Sequence, residues 1–229
     1  MATGAELAIV VKANTADAIS KMEGLGGKLK GVADKAAKFG KGMTIAGGAA
    51  VAGLGLAVKS AVDFEGSMRE VNTILVLGQD QFQGLSDEVK NLSTDLGVSA
   101  VDSAKALYQA ISAGVPKENV IDFMTVATKT AIAGVTDTET AVDGLTTVMN
   151  AFKIPMEEAQ KVADVMFTTV KGGKTTISEL SASMFNVAPI ASASGIAFEE
   201  VSGALATMTK QGVPTAQATT QLRMAMSAL

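Results

Sequence analysis

The sequence has no cysteine and no histidine. A disulfide framework is therefore excluded, and an oxidising compartment gains no support. Zinc sites built on Cys or His are excluded, and so is every Ser-His or Cys-His nucleophile pair. Aromatic residues are only 4% of the 229, which argues against an aromatic-rich recognition surface. The net charge of −4 does not favour nucleic acid as a partner. Met1-Ala-Thr-Gly-Ala-Glu6 has no basic region, and no sufficient apolar run follows it, so a signal peptide is not expected.

What is there is small and apolar. Hydrophobic residues are 48% and charged residues 18%, with Ala, Gly, Val, Thr and Ser carrying the bulk. That composition suits closely packed helices with small contact residues. Charge is uneven: residues 1–42 carry seven Lys against four acids, and the remainder has twelve basic and nineteen acidic residues.

The stretch from Gly97 to Gly212 holds a rough internal repeat. Segments open at Gly97-Val98-Ser99, Gly134-Val135-Thr136, Gly173-Lys174-Thr175-Thr176 and Gly212-Val213-Pro214-Thr215. Their spacing is roughly 37–39 residues, in the range of stacked helix pairs. Val115-Pro116-Lys117-Glu118 aligns with Ile154-Pro155-Met156-Glu157-Glu158 and with Ile196-Ala197-Phe198-Glu199-Glu200. Each unit reads as helix, turn, helix, glycine.

Capping chemistry sets the expected helix limits. Ser99/Asp102, Thr136/Glu139 and Thr176/Glu179 have the spacing at which hydroxyl and carboxylate satisfy free N–H groups at a helix start. Gly114, Gly134, Gly172 and Gly212 stand where helices should close in the left-handed conformation. Pro116 and Pro155 are expected in the first turn of the next helix. Apolar spacing is helical for Ala104, Leu107 and Ile111; for Val120, Phe123, Met124 and Ala127; and for Val142, Leu145, Met149 and Phe152.

Upstream, Glu6–Lys12 is rich in β-branched residues and reads as one strand, which must pair with another chain or another copy; the alternative is that it starts a helix. Ala16–Lys41 reads as a basic helix weakened by Gly24, Gly26, Gly27, Gly31 and Gly40, and expected to need a partner. Residues 42–58 are uncharged and Ala/Gly-dominated, at the lower limit of length for a bilayer. Close packing against another helix or copy, a membrane-active segment and a buried helix all remain open for them. Helices are expected over 61–77, with Phe64, Met68, Val71 and Leu75 on one face, and over 81–96, with Phe82, Leu85, Val89 and Leu92, separated by a break at Gly78-Gln79-Asp80. The last helix, from about Thr215 through Leu222, Met226 and Leu229, stops on apolar residues, as expected of the front piece of a longer protein.

The expected fold is mainly α: a short N-terminal strand segment (1–13), a basic then apolar Ala/Gly-rich helical region (14–78) and a core of antiparallel helix pairs (79–229). No catalytic, cofactor or metal residue is assigned, and no enzyme is expected. Glu157-Glu158 and Glu199-Glu200 are paired acids that read as first-turn residues facing a helix dipole rather than as an acid/base pair. Lys171-Gly-Gly-Lys-Thr-Thr176 lacks phosphate-loop spacing and a preceding strand. Met149, Met166, Met184, Met208, Met224 and Met226 read as core filler.

One ordered set of residues resembles a known family. It runs through Val62-Asp63-Phe64-Glu65, Met68 and Val71, then Leu96-Gly97 and Ser99, Ala113-Gly114-Val115, Phe152-Lys153-Ile154 and Ala163-Asp164. It ends with Gly195-Ile196-Ala-Phe-Glu199-Glu200-Val201, Gly212-Val213 and Ala218-Thr219-Thr220-Gln221-Leu222-Arg223. Together these resemble the N-terminal core region of phage tail tape-measure proteins. The resemblance implies a virion structural protein lying inside the tail tube, around which tube subunits assemble and whose length sets tail length. It implies tail-tube and tail-tip proteins, tail assembly chaperones and other copies as partners, residence in the host cytoplasm during assembly, and a transient host-membrane contact on infection. It implies no sequence-specific nucleic acid binding. A fully helical chain of this size would reach only about 340 Å at 1.5 Å per residue, so the measuring part is expected elsewhere. The competing reading is a membrane-active, pore-forming or envelope-associated helical protein unrelated to phage.

Overall fold

The computed structural model describes residues 48–228, with side chains from Lys59 onward. The strand expected at 6–12 and the basic helix expected at 16–41 lie outside the described residues, as does part of the 42–58 stretch. The compact unit described below begins at Leu56.

The described residues are helical, with ten α-helices and no strand. They are α1 (Gly48–Leu75), α2 (Gln79–Leu96), α3 (Ala100–Ser112), α4 (Val120–Gly134), α5 (Thr138–Phe152), α6 (Ala159–Gly172), α7 (Ile177–Met184), α8 (Ala188–Ala193), α9 (Phe198–Lys210) and α10 (Thr215–Ser227). Short 3-10 turns, Lys117–Asn119 and Met156–Glu158, lead into α4 and α6. Pro116 and Pro155 precede those turns as their caps, one step earlier than expected. Ordered this way, the missing proline N–H falls where no intrahelical acceptor exists. No described helix is long and apolar enough to cross a membrane.

The expected apolar faces form the core. Phe64, Met68 and Val71 of α1 join Leu85, Val89 and Leu92 of α2, Leu107 of α3, Phe123 and Met124 of α4, Leu145 and Met149 of α5, and Leu180 and Leu205 beyond them in one buried cluster. Leu75, Phe82 and Phe152 are only partly buried against it. Packing alternates along the chain. Helix α3 packs on α5, α5 on α7 and α8, and α7 on α10; α4 packs on α6, and α6 on α9. Sequence neighbours α3/α4, α5/α6 and α9/α10 also touch, and α2 covers α3 and α4.

The break after α1 falls at Val76–Gly78, slightly earlier than expected, because Asn72 Oδ1 accepts the Leu77 N–H at 2.7 Å and Gly78 caps the next helix. Most other helix ends share one closing bond. Val98 N–H donates to Ser93 O, Val115 to Ala110 O, Ile154 to Met149 O, Ile196 to Ala191 O and Val213 to Met208 O, all at 2.9–3.1 Å. Each follows a residue with positive φ: Gly97, Gly114, Lys153, Gly195 and Gly212. This is the six-to-one closure that glycine makes at least cost.

Gly134 and Gly172 depart from that expectation. Both are still helical, and the left-handed residue after Gly134 is Val135, at φ 53°. Their neighbourhood explains Gly134: a Cβ there would lie 2.6 Å from Ile177 Cγ1 of α7. The glycine is spent on close approach, and the strained conformation passes to valine. At the end of α6, Gly173 is extended, and a Cβ on it would meet Ala206 Cα of α9 at 2.9 Å.

Candidate functional site

No constellation for covalent chemistry comes together among the described residues. No group of His, Cys, Asp or Glu there could hold a metal ion. The paired acids are occupied structurally. Glu157 Oε1 accepts from Asn119 Nδ2 at 3.0 Å, and Glu200 Oε2 accepts the Ala197 N–H at 3.1 Å. Lys161 Nζ lies 3.6 Å from Glu158 and 3.7 Å from Glu199. In Lys171–Thr176 the Lys174 N–H is taken by Thr209 Oγ1 at 3.1 Å, and the Thr176 side chain accepts from Glu179 N.

Of the capping boxes, Ser99 and Thr176 do accept the N–H three residues on. The third cap is Asp137 rather than Thr136. Its Oδ1 accepts Thr140 N–H at 2.7 Å and its Oδ2 the Thr140 hydroxyl at 2.8 Å, so its carboxyl is held below its ordinary value of 3.8, chiefly by the backbone bond. A carboxylate is a stronger acceptor than the neighbouring hydroxyl, which is why it wins the position. Glu179 does not fold back on Thr176; its Oε2 accepts from Thr215 at 3.0 Å, with Thr175 Oγ1 at 3.2 Å. Met149, Met166 and Met184 are buried as expected, and Met208 and Met226 pack against the core, but Met224 is 56% exposed.

The polar contacts that remain join helices one unit apart. Asn119 and Glu157 are 38 residues apart, Asn150 and the Ala113 carbonyl it donates to (2.8 Å) are 37, Lys174 and Thr209 are 35, and Thr215 and Glu179 are 36. Beneath them are the close approaches. A Cβ on Gly144 of α5 would meet Ser181 Cβ of α7 at 2.7 Å, and α7 is also the helix that Gly134 of α4 approaches, at Ile177. The exposed pairs, Asn119–Glu157 and Asn150–Ala113, contribute about 0–1 kcal/mol each, so the seams are held chiefly by apolar burial and the polar pairs fix their register. Sequence reasoning missed these seam residues. The signal was present as Gly144 within an otherwise strong helix, where a glycine costs about 1 kcal/mol and so asks for a packing reason.

Two surface clefts lie among the described residues. One of about 730 Å³ is lined by Val98, Asp102, Ile132, Asp137 and Glu139. Another of about 540 Å³ is lined by Phe64, Met68 and Phe82, with Lys90 Nζ 5.4 Å above the Phe64 ring. The first also holds Ser99 and Thr140, but Ser99 and Asp137 are engaged there as helix N-caps, Asp137 accepting from Thr140.

Comparison with known proteins gives a consistent family. The model of the phage-related minor tail protein family matches residues 86–229, more than half of the chain. A probable tape measure protein of Clostridium phage phiCD119 is 38% identical over 172 residues, covering 72% of this chain and 18% of that protein. The tape measure protein of Pneumococcus phage Dp-1 is 25% identical over 190 residues, covering 82% of this chain and 16% of that protein. The chain thus spans less than a fifth of the length of these relatives. No solved structure matches it. With most of its helical core inside the matched region and its paired acids absorbed into helix caps and seams, the chain belongs to the phage minor tail and tape-measure protein family.

Proposed function

We propose that this chain serves tail-length determination in a long-tailed phage, as a folded head on which tail assembly is organised. The reading rests on family membership together with one structural observation: the polar contacts between distant segments recur at one unit's separation, as Asn119–Glu157 does. Residues 100–227 are read as a stack of antiparallel helix pairs, α3/α4, α5/α6 and the broken α7–α8 with α9, followed by α10 as the first helix of a further pair. Such a stack has a fixed volume; it does not lengthen as a rod does. The proposed partners are tail-tube and tail-tip proteins, assembly chaperones and other copies. The proposed places are the host cytoplasm during assembly and then the tail interior.

Electron microscopy of tails from a phage carrying an in-frame deletion of residues 134–172 tests this division. Removing one pair exposes the apolar faces of its neighbours, so few tails are expected, and those that form should not be uniformly shorter. A normal yield of tails shortened by about 1.5 Å per deleted residue would show that the stack is itself the ruler. Normal tails of normal length from a phage lacking the gene would remove the role in length determination altogether.

A further inference from the structure

We propose that the edge of the stack carrying Val135 is an interface between two copies of this chain, joined antiparallel about a two-fold axis. The inference rests on the stacked reading above. The junctions α2/α3, α4/α5, α6/α7 and α9/α10, residues 97–99, 135–137, 173–176 and 211–214, lie side by side along that edge. One cleft, with Val98, Asp102, Ile132 and Asp137 in its walls, spans the first two. Gly134 abuts Ile177 between the second and third, and Thr175 and Thr215 share a 2.8 Å hydrogen bond between the third and fourth. The first and fourth junctions turn on a left-handed glycine, Gly97 and Gly212, but the second turns on Val135. A β-branched residue is a costly choice for that conformation. Its side chain is 94% exposed, and Ile132, three residues before it, is 51% exposed. Within one copy the strain gains nothing, so a strained apolar residue held over solvent points to a contact outside the chain.

Charge names the occupant. Asp95 and Asp102 flank the first junction and Asp137 and Glu139 the second, with no base within a helical turn of either. Lys171 and Lys174 flank the third and Lys210 the fourth. The one acid there, Glu179, is taken up by Thr175 and Thr215. The edge is thus acidic over one half and basic over the other. A partner of a single sign would match only half of it. A second copy turned about a two-fold axis sets the first junction against the fourth and the second against the third, so that acids face bases throughout. An isologous contact requires this self-complementarity. The apolar groups fall into register as well: half-buried Val98 meets half-buried Val213, and Val135 meets the alkyl stem of Lys174.

Sedimentation equilibrium of the 229-residue chain at low ionic strength tests the interface. Asp95→Lys/Asp102→Lys/Glu139→Lys removes the acidic half and leaves the Asp137 cap in place; Lys171→Glu/Lys174→Glu/Lys210→Glu removes the basic half. Each variant alone should self-associate about ten-fold or more weakly than the parent, and an equimolar mixture should recover the lost association as a heterodimer. Val135→Gly relieves local strain and so keeps the fold, yet it should weaken association about ten-fold by removing the apolar anchor. Association unchanged in all three variants overturns the proposal. So does a mixture no stronger than its components, and so does a parent chain that stays monomeric at high concentration. Val148→Cys, buried in a chain that otherwise has no cysteine, reports on the stack itself. Its protection from thiol labelling beside any of those results refutes the interface and leaves the stack standing. Its free labelling overturns the stack, and the proposal with it.

Discussion

Asn119 and Glu157, 38 residues apart, share a hydrogen bond of 3.0 Å at the entrances to α4 and α6. The bond is exposed, and its partners occupy equivalent turns of neighbouring helix pairs. It sets how one pair registers on the next while apolar burial beneath supplies the stability.

The first prediction follows from that division. Asn119→Ala removes an exposed hydrogen bond, so the cost should be no more than about 0.5–1 kcal/mol in urea unfolding. A loss of several kcal/mol would mean that the polar edge, rather than the buried seam, holds the units together.

Gly144→Ala should do far more, against its local tendency. In an isolated helix the change would gain about 1 kcal/mol. Here the new methyl runs into Ser181, whose Cβ is 2.7 Å from its position. Overpacking of this kind costs about 1–3 kcal/mol. Adding Ser181→Gly should recover part of the loss, because Ser181 Cα is itself 3.0 Å away and stays in place. Unfolding of the two single variants and the double variant measures the coupling. Additive losses would refute the contact.

Much of this arrangement was legible because helix periodicity and end chemistry are local. Leu107, Phe123, Leu145 and Met149 are buried where the spacing puts them, and Ser99 and Thr176 cap where their hydroxyls predict. What was not legible depended on distant neighbours. Gly134 looked like a helix terminator and is a contact for Ile177. Glu179 looked like half of a capping box, but its carboxylate accepts from Thr215, and no local rule anticipates an acceptor shared across 36 residues. Met224 looked like core filler from its residue type alone, yet it is exposed, because it stands two residues from Leu222 and Met226 and so falls off the stripe they share.

Val135 carries a removable strain. It is β-branched, 94% exposed and left-handed at φ 53°, where Gly97, Gly114 and Gly212 make equivalent closures. A left-handed non-glycine residue costs about 1–2 kcal/mol, partly offset by the entropy that glycine adds to the unfolded chain. Val135→Gly should therefore stabilise by about 0.5–1 kcal/mol. Its side chain buries nothing that would be lost. Lys153→Gly, at φ 55°, should act in the same direction. A lower urea midpoint for both variants would show that the left-handed turns are held by something other than local backbone preference.

Asp137 gives the fold a dependence on acid that can be isolated. Its folded pKa lies below 3.8, because its carboxylate accepts the Thr140 N–H and hydroxyl. The unfolded chain lacks those bonds, so its carboxyl titrates near the ordinary value. The unfolded state then binds the proton more readily in the acid range. The cap's ionic contribution is complete above the unfolded pKa and is lost as pH falls through the folded one. Asp137→Asn keeps an oxygen acceptor for Thr140 and is nearly as good a cap, so at neutral pH it should cost only a few tenths of a kcal/mol. It also removes the titrating group. The stability difference between the parent and Asp137→Asn should therefore hold constant from neutral pH down to about pH 5 and shrink progressively below the ordinary carboxylate pKa. Asp137→Ala removes the acceptor itself and should cost about 1 kcal/mol at neutral pH. Urea titrations of the three proteins at intervals between pH 2 and pH 7 read these differences directly. Parallel curves for the parent and Asp137→Asn down to pH 2 would mean that the carboxylate gains nothing from its bonds at the start of α5, and that helix would then depend on its packing against its neighbours.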